Sequence, residues 1–171
     1  MPLTIRMLIY HALFSSHLNY CCQIWGQHVG NISFNLLDPI RVLQNTALKQ
    51  ITFSHARTHN SPLYKFLNVL KFSDIVAIKN MLLVYDIYNG TLPSAVIDTF
   101  NIDFSHPYST LACGLINSIL KSTTTYGTGS LKSQAIESWN NCQRANPEAK
   151  FFDMSRSELK KLLSSHFLEN Y

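Results

Sequence analysis

The sequence is short of charge. Only 14% of its 171 residues are Asp, Glu, Lys or Arg, against about 25% in an average globular protein. Hydrophobic residues make up 46%, which excludes a charged, disordered tail. A chain of this length suits one domain, burying roughly 70% of the surface its unfolded form exposes. Few charges and many apolar residues also predict more apolar surface than a free-standing enzyme shows. Acids are especially scarce. No two of Asp38, Asp74, Asp86, Asp98, Asp103 and Asp153 adjoin, and the glutamates are only Glu137, Glu148, Glu158 and Glu169. Two-metal phosphoryl transfer needs carboxylates converging on ions about 3.5–4 Å apart, and no local pair supplies them.

Long apolar runs are missing too. No stretch of 18 apolar residues occurs, so no membrane span is expected. Arg6 interrupts the apolar opening, and no small-residue cleavage site follows it. The expectation is an intracellular protein, of cytoplasm or nucleus, with Cys21, Cys22, Cys113 and Cys142 as free thiols. His17, Cys21 and Cys22 lie close together, but a structural zinc site takes four ligands. Buried thiols and a helix-face histidine are the better reading, so no metal or cofactor is expected. There is no Gly-x-Ser-x-Gly elbow. Gly127-Thr128-Gly129-Ser130 lacks the Lys-Ser/Thr ending of a phosphate loop and reads as a turn and helix cap.

What is present is helical. Leu3, Met7, Leu8, His11, Phe14 and Leu18 recur at helical spacing, and Gly26 is expected to end any continuation. Asp38-Pro39 reads as an N-cap with proline at the first helical position, opening a helix to about Phe53. Ser54 to Asn60 reads as a polar loop. Ser61-Pro62 repeats the start and opens a short helix to about Leu67. Ser73 is expected to cap a helix with Ile75, Ile78, Leu82, Tyr85 and Tyr88 on one face, stopped by Asn89-Gly90. Pro93-Ser94 opens a further turn to Phe100. Ser130 caps a helix to Asn141 that buries Leu131, Ala135, Ile136 and Trp139, and Asn140 to Ala149 reads as polar. Ser155 with Glu158 three residues on is a capping box for a terminal helix over 155–168. The fold class is mainly α: a single irregular helical domain of about six helices, with room for a short β-hairpin within 105–128.

Net charge is +4, and the only adjacent basic pair is Lys160-Lys161. His55 and His59 flank Arg57 in the polar loop, where the three can meet a phosphate, although an exposed loop is the plainer reading. Tyr20, Trp25, Tyr85, Tyr88, Tyr126 and Trp139 are spaced for a core more than for a base-stacking platform.

Taken in order, the pieces resemble a family. Leu8 to Cys21 followed by Ile24-Trp25-Gly26 looks like the stretch after the polymerase core in reverse transcriptases of jockey-like non-LTR (LINE-type) retrotransposons. Leu43-Gln44-Asn45 with Ala47-Leu48-Lys49 is similar to that family's next helix, where arginine is usual at Lys49. Ser61-Pro62-Leu63 through Asp74-Ile75, then Tyr88-Asn89-Gly90 with Leu92-Pro93, match its following elements. Tyr126-Gly127, Ser130-Leu131 and Trp139-Asn140 match a later block, and Leu159 to Leu163 with Tyr171 its terminal helix. The order runs from about residue 5 to residue 171. Ser109-Thr110-Leu111, where the family often has Asn-Thr-Arg, and Asn141-Cys142-Gln143, where Leu-Pro is common, depart from it.

The resemblance implies a helical thumb-tail and connection region over 1–100. It implies a C-terminal region over 101–171, with a turn at 126–129. It implies an RNA-directed DNA polymerase whose catalytic Phe/Tyr-x-Asp-Asp turn is expected upstream of Met1, so no catalytic residue carries over. Support of the polymerase and contact with template RNA or primer–template are what remain. The candidate phosphate contacts are Lys49, Arg57, Lys65, Lys71, Lys132, Lys160 and Lys161. A helical protein-interaction domain with no nucleic-acid role is the alternative. An independent enzyme assembled from His17, His55, His59, His106 and His166 ranks behind both, since no pair has a spacing tied to a mechanism.

Overall fold

The computed structural model describes residues 1–27, 30–102, 115–116, 124, 127 and 129–171, with backbone only for 30–36. The protein is mainly α-helical, and no strand occurs among the described residues. The hairpin expected within 105–128 falls outside them, four isolated residues apart. So do His106, Ser109-Thr110-Leu111, Cys113 and Tyr126.

The N-terminal segment is a rod in three parts: α1 (Leu3–Ile9), a π-helical stretch Tyr10–Ser15, and α2 (Ser16–Asn19). The π stretch corrects the expected stripe. One wider turn moves Tyr10 into the core, where it is 4% exposed, while Leu8 and His11 face outward. The inward residues are Leu3, Met7, Tyr10, Phe14 and Leu18. The chain then turns through Cys21 at φ 48° into α3 (Cys22–Trp25), which ends at Gly26 as expected.

The long helix α4 (Gly30–Thr52) overturns the expected start at Asp38-Pro39. Helix runs through Pro39, whose missing N–H leaves the carbonyl of residue 35 without its helical donor and does not break the rod. Asp38 is no cap: its carboxylate takes the Arg41 guanidinium at 2.8 Å, one turn on. A loop then leads to α5 (Ser61–Leu67). Here Asn60 precedes the helix and Pro62 sits in its first turn, so Ser61 is the first helical residue rather than the cap.

The central element is α6 (Phe72–Tyr88). Its Ser73 hydroxyl bonds the neighbouring Asp74 at 3.0 Å instead of capping. The entry is set by Lys71 in extended conformation. The one-faced helix expected here is buried nearly all round: Val76, Asn80, Val84 and Ile87 are covered as well as Ile78, Leu82 and Tyr85, while Tyr88 is exposed. An apolar sequence on every side is what a central helix requires. Asn89-Gly90 stops it, Gly90 adopting φ +65°, a backbone region that favours glycine.

The remaining helices are α7 (Ser94–Phe100), α8 (Leu131–Ala145) and α9 (Arg156–Glu169). Ser130 caps α8 by accepting from the Ser133 N–H. That helix continues four residues past its expected end, because Cys142 and Gln143 are buried on the same face as Trp139. Both arms of the Ser155–Glu158 box are formed. Met81, Val84 and Tyr85 of α6, Ile136 and Trp139 of α8, Phe151, and Leu159 and Leu163 of α9 share the largest core cluster. Trp139 lies 4.4 Å from the Phe152 ring, stacked, and meets Phe151 edge-on. Each fully buried side chain of this size contributes roughly 1.5–3 kcal/mol. A second cluster joins Tyr10 to Leu48 and Ile51 of α4 and to Tyr64 and Leu67 of α5.

Three polar contacts fix the helices in place. Gln44, 1% exposed, donates to the Tyr10 hydroxyl at 3.2 Å and the Leu70 carbonyl at 2.9 Å, and accepts the Phe72 N–H at 3.0 Å. Gln27 and Asn80 exchange amide hydrogen bonds at 3.0 and 3.2 Å. Gln23 donates to the Lys79 carbonyl at 2.8 Å, and the Lys79 ammonium donates to the Asn19 carbonyl. Buried amides with every bond made specify one arrangement of helices.

Candidate nucleic-acid interface

The second half of α4 carries Arg41, Asn45 and Lys49 four residues apart, so one helical face presents all three. The loop after it folds back along that face. Lys49 donates to the Ala56 carbonyl at 2.6 Å, which ties the loop to the helix. The Arg57 N–H donates to His55 Nδ1 at 3.2 Å, and the Arg57 side chain stays exposed. Two cavities follow this edge. One, of about 420 Å³, is lined by Arg41, Asn45, His59, Ser61 and Lys71 over a floor of Gln44, Tyr64 and Phe72. The other, of about 480 Å³, lies around Lys49, Gln50 and Phe53. Lys71, just before α6, closes the first, its ammonium 3.9 Å from the Tyr171 ring centre and 5.9 Å from that of Tyr64.

Of the seven candidate cations, Lys49 and Lys71 line the cavities along this edge, and Arg57 lies in the loop beside Lys49 and lines neither. Lys65, on α5, reaches the Glu169 carbonyl at 3.5 Å and joins α5 to the end of α9. Lys132 donates to the Asn101 carbonyl at 3.3 Å, on a different part of the surface. Lys160 lines a groove of about 540 Å³ between the N-terminal rod, α6 and α9. Lys161 is exposed on α9 beside Glu158. The seven do not form one patch.

Sequence reasoning missed Arg41, Lys79 and Arg156. Arg41 was hidden because Asp38 read as a helix cap, although a Glu/Asp to Arg pair at i, i+3 is a recognisable helix-face signal. Arg156 forks onto Asp86 with contacts of 2.8, 3.1 and 3.1 Å. That hydrogen bonding raises its pKa further above the usual arginine value. Lys79 and Arg156 share the third groove with Lys160, but Lys79 is held by the Asn19 carbonyl and Arg156 by the Asp86 carboxylate, which lines the same groove and opposes a phosphate.

Among the described residues no group of three His, Cys, Asp or Glu is placed to hold a metal. His17 and Cys21 stay exposed while Cys22 is fully buried. Burial pushes the Cys22 thiol up against a smaller opposing pull from Lys79, and burial likewise raises Cys142. Neither is set up as a thiolate nucleophile. Of the aromatic set, Tyr85 and Trp139 are core residues, whereas Tyr20, Trp25 and Tyr88 are exposed. Among the described residues no helix is long and apolar enough to cross a membrane. The chain matches no family model, no curated protein and no solved structure.

Proposed function

We propose that this chain is a non-catalytic C-terminal piece of a retrotransposon RNA-directed DNA polymerase, one that supports the polymerase and contacts template RNA. The observation that carries the reading is the ordered resemblance described above, from the Leu8–Gly26 stretch to Tyr171. The arrangement of Arg41, Lys49, Arg57 and Lys71 along one edge supports the RNA contact. These groups offer charge and hydrogen-bond donors to phosphate. Asp38 is the one carboxylate among the residues that line the two cavities.

Two tests address the proposal. Translating the DNA that precedes the coding sequence in all frames is expected to reveal a polymerase remnant with a Phe/Tyr-x-Asp-Asp turn. Several kilobases without any remnant would sink the origin. Purified protein is expected to retain RNA at about 50 mM salt and to release it as salt rises. A protein that retains none at that salt does not contact RNA.

One observation favours the alternative, a helical protein-interaction domain. Leu8, Leu13, Tyr20 and Ile24 of the N-terminal rod and its continuation are each more than two-thirds exposed. That much apolar surface on one segment suits a protein partner. Size-exclusion chromatography bears on this face under either reading, since a well-behaved monomer with no partner counts against both.

A further inference from the structure

The end of α4 contains an unusual residue choice. Phe53 N–H donates to the Gln50 carbonyl at 3.3 Å, and Ser54 N–H reaches the Lys49 carbonyl at 2.9 Å. This pair of bonds is the Schellman motif, whose turning residue sits in the left-handed region and is usually glycine. Here it is phenylalanine, at φ 54°. A bulky side chain in that region is strained. The strain gains the fold no core contact, because Phe53 is 79% exposed, the most exposed large hydrophobic residue among those described. Strain kept at a surface residue points to a use for it.

The ring is also held. Arg6 donates to the Ile51 carbonyl, one of the open carbonyls at the end of α4. That bond fixes the guanidinium 4.2 Å from the Phe53 ring centre. Arg6 does not itself line the second cavity, whereas Phe53, Lys49 and Gln50 do. A cation sits over the ring, which is otherwise largely exposed and lines a cavity with a lysine and an amide at its wall.

We infer that Phe53 is a stacking platform for one unpaired base of RNA, held by Arg6, with Lys49 beside the phosphate and Gln50 at the edge of the base. The inference rests on the RNA-contact reading and adds to it a residue and a binding mode. Base–aromatic stacking tolerates any base, and Arg on an aromatic face strengthens such a platform. Single-stranded RNA is the form in which bases are free to stack this way.

The test uses the full chain and two strands of equal length, an oligoriboadenylate and a ribose-phosphate strand without bases, with binding read by fluorescence anisotropy at about 50 mM salt. Phe53→Gly keeps the turn, since glycine is the preferred residue there, and removes only the ring. It is expected to weaken oligoriboadenylate binding roughly five- to hundredfold, to leave the abasic strand unchanged, and to have a Tm no lower than the original protein. Phe53→Trp is expected to bind oligoriboadenylate at least as well as the original. If the original protein binds oligoriboadenylate and Phe53→Gly binds it equally, the platform is wrong while the RNA contact stands. Equal binding of the original protein to both strands has the same meaning and leaves Phe53 to a protein partner. If the original protein binds neither strand, the RNA reading fails and the platform with it.

Discussion

The hydroxyl of Tyr171 donates to the carboxylate of Asp74, so the last residue of the chain is latched to the first turn of α6. The same oxygen accepts the Lys71 N–H at 2.9 Å, and the ring packs edge-on against Tyr64. Removing the hydroxyl strands the Lys71 N–H and leaves the Asp74 carboxylate with its Ser73 bond alone. Tyr171→Phe is expected to lower unfolding free energy by about 1–3 kcal/mol, read from urea denaturation at unchanged m. An unaltered midpoint would show that the latch adds nothing.

Gln44 joins α4, the N-terminal rod and the start of α6 through three hydrogen bonds. Gln44→Leu keeps the volume and leaves the Phe72 N–H and the Leu70 carbonyl without partners. The expected loss is about 2–4 kcal/mol. Thermal unfolding measures it, and a shift of less than a degree would mean that water replaces the amide at no cost.

Gly26 is needed for closeness rather than for a special dihedral. A Cβ there would lie 2.6 Å from the Cys22 carbonyl oxygen, 2.8 Å from Phe72 and 2.9 Å from Val76. Gly26→Ala must therefore push α3 away from α6. A destabilisation of about 1–3 kcal/mol is expected, together with increased reactivity of the Cys22 thiol toward a small alkylating reagent. Native-like protection of Cys22 in the variant would contradict the close approach.

The buried phenols give the protein an alkaline limit. Burial raises Tyr10, Tyr64 and Tyr171 above the ordinary value of 10.0, with Asp74 adding to the effect on Tyr171. A folded-state pKa above the unfolded one contributes stability that is complete below the unfolded value and is lost as pH rises through and beyond it. Stability is thus expected to fall above pH 10.0. At the acid end, Glu158 is held below its ordinary value by its bonds to Ser155. Its contribution is present above the unfolded pKa and lost as pH falls through the folded one. Ser155→Ala should flatten that acid limb in pH-dependent melting, and an identical profile would remove Glu158 from the account.

Local chemistry was legible in the sequence, and long-range chemistry was not. The Ser155–Glu158 box, the Ser130 cap and the Asn89-Gly90 stop each rest on side chains within a turn of where they act, so their spacing announces them. Pro39 misled because proline is common at a helix start, yet its neighbours on both sides accept helix. The π-helical turn after Ile9 left no such mark, and it changed which residues of the rod face inward. The burial of Gln44, Gln27 and Asn80 left no mark in the sequence, since nothing nearby in the chain reveals the partners that satisfy them. The site was legible in part for the same reason. Lys49, Arg57 and Lys71 were recognisable as cations, but their union depends on the loop folding back along α4. Phe53 read as the last apolar residue of a helix. The available signal was the absence of glycine or asparagine where that helix had to turn.

The central claim is that the α4 edge meets RNA phosphates, and the slope of binding against salt tests it most directly. Log affinity for single-stranded RNA is expected to fall linearly with log salt, with roughly 0.7 of slope for each phosphate contact. Arg41→Ala with Arg57→Ala is expected to reduce the slope by about 1.4, while Lys161→Ala, on α9, leaves it unchanged. A slope untouched by the paired Arg41 and Arg57 substitutions, or reduced as much by Lys161→Ala, would contradict the account.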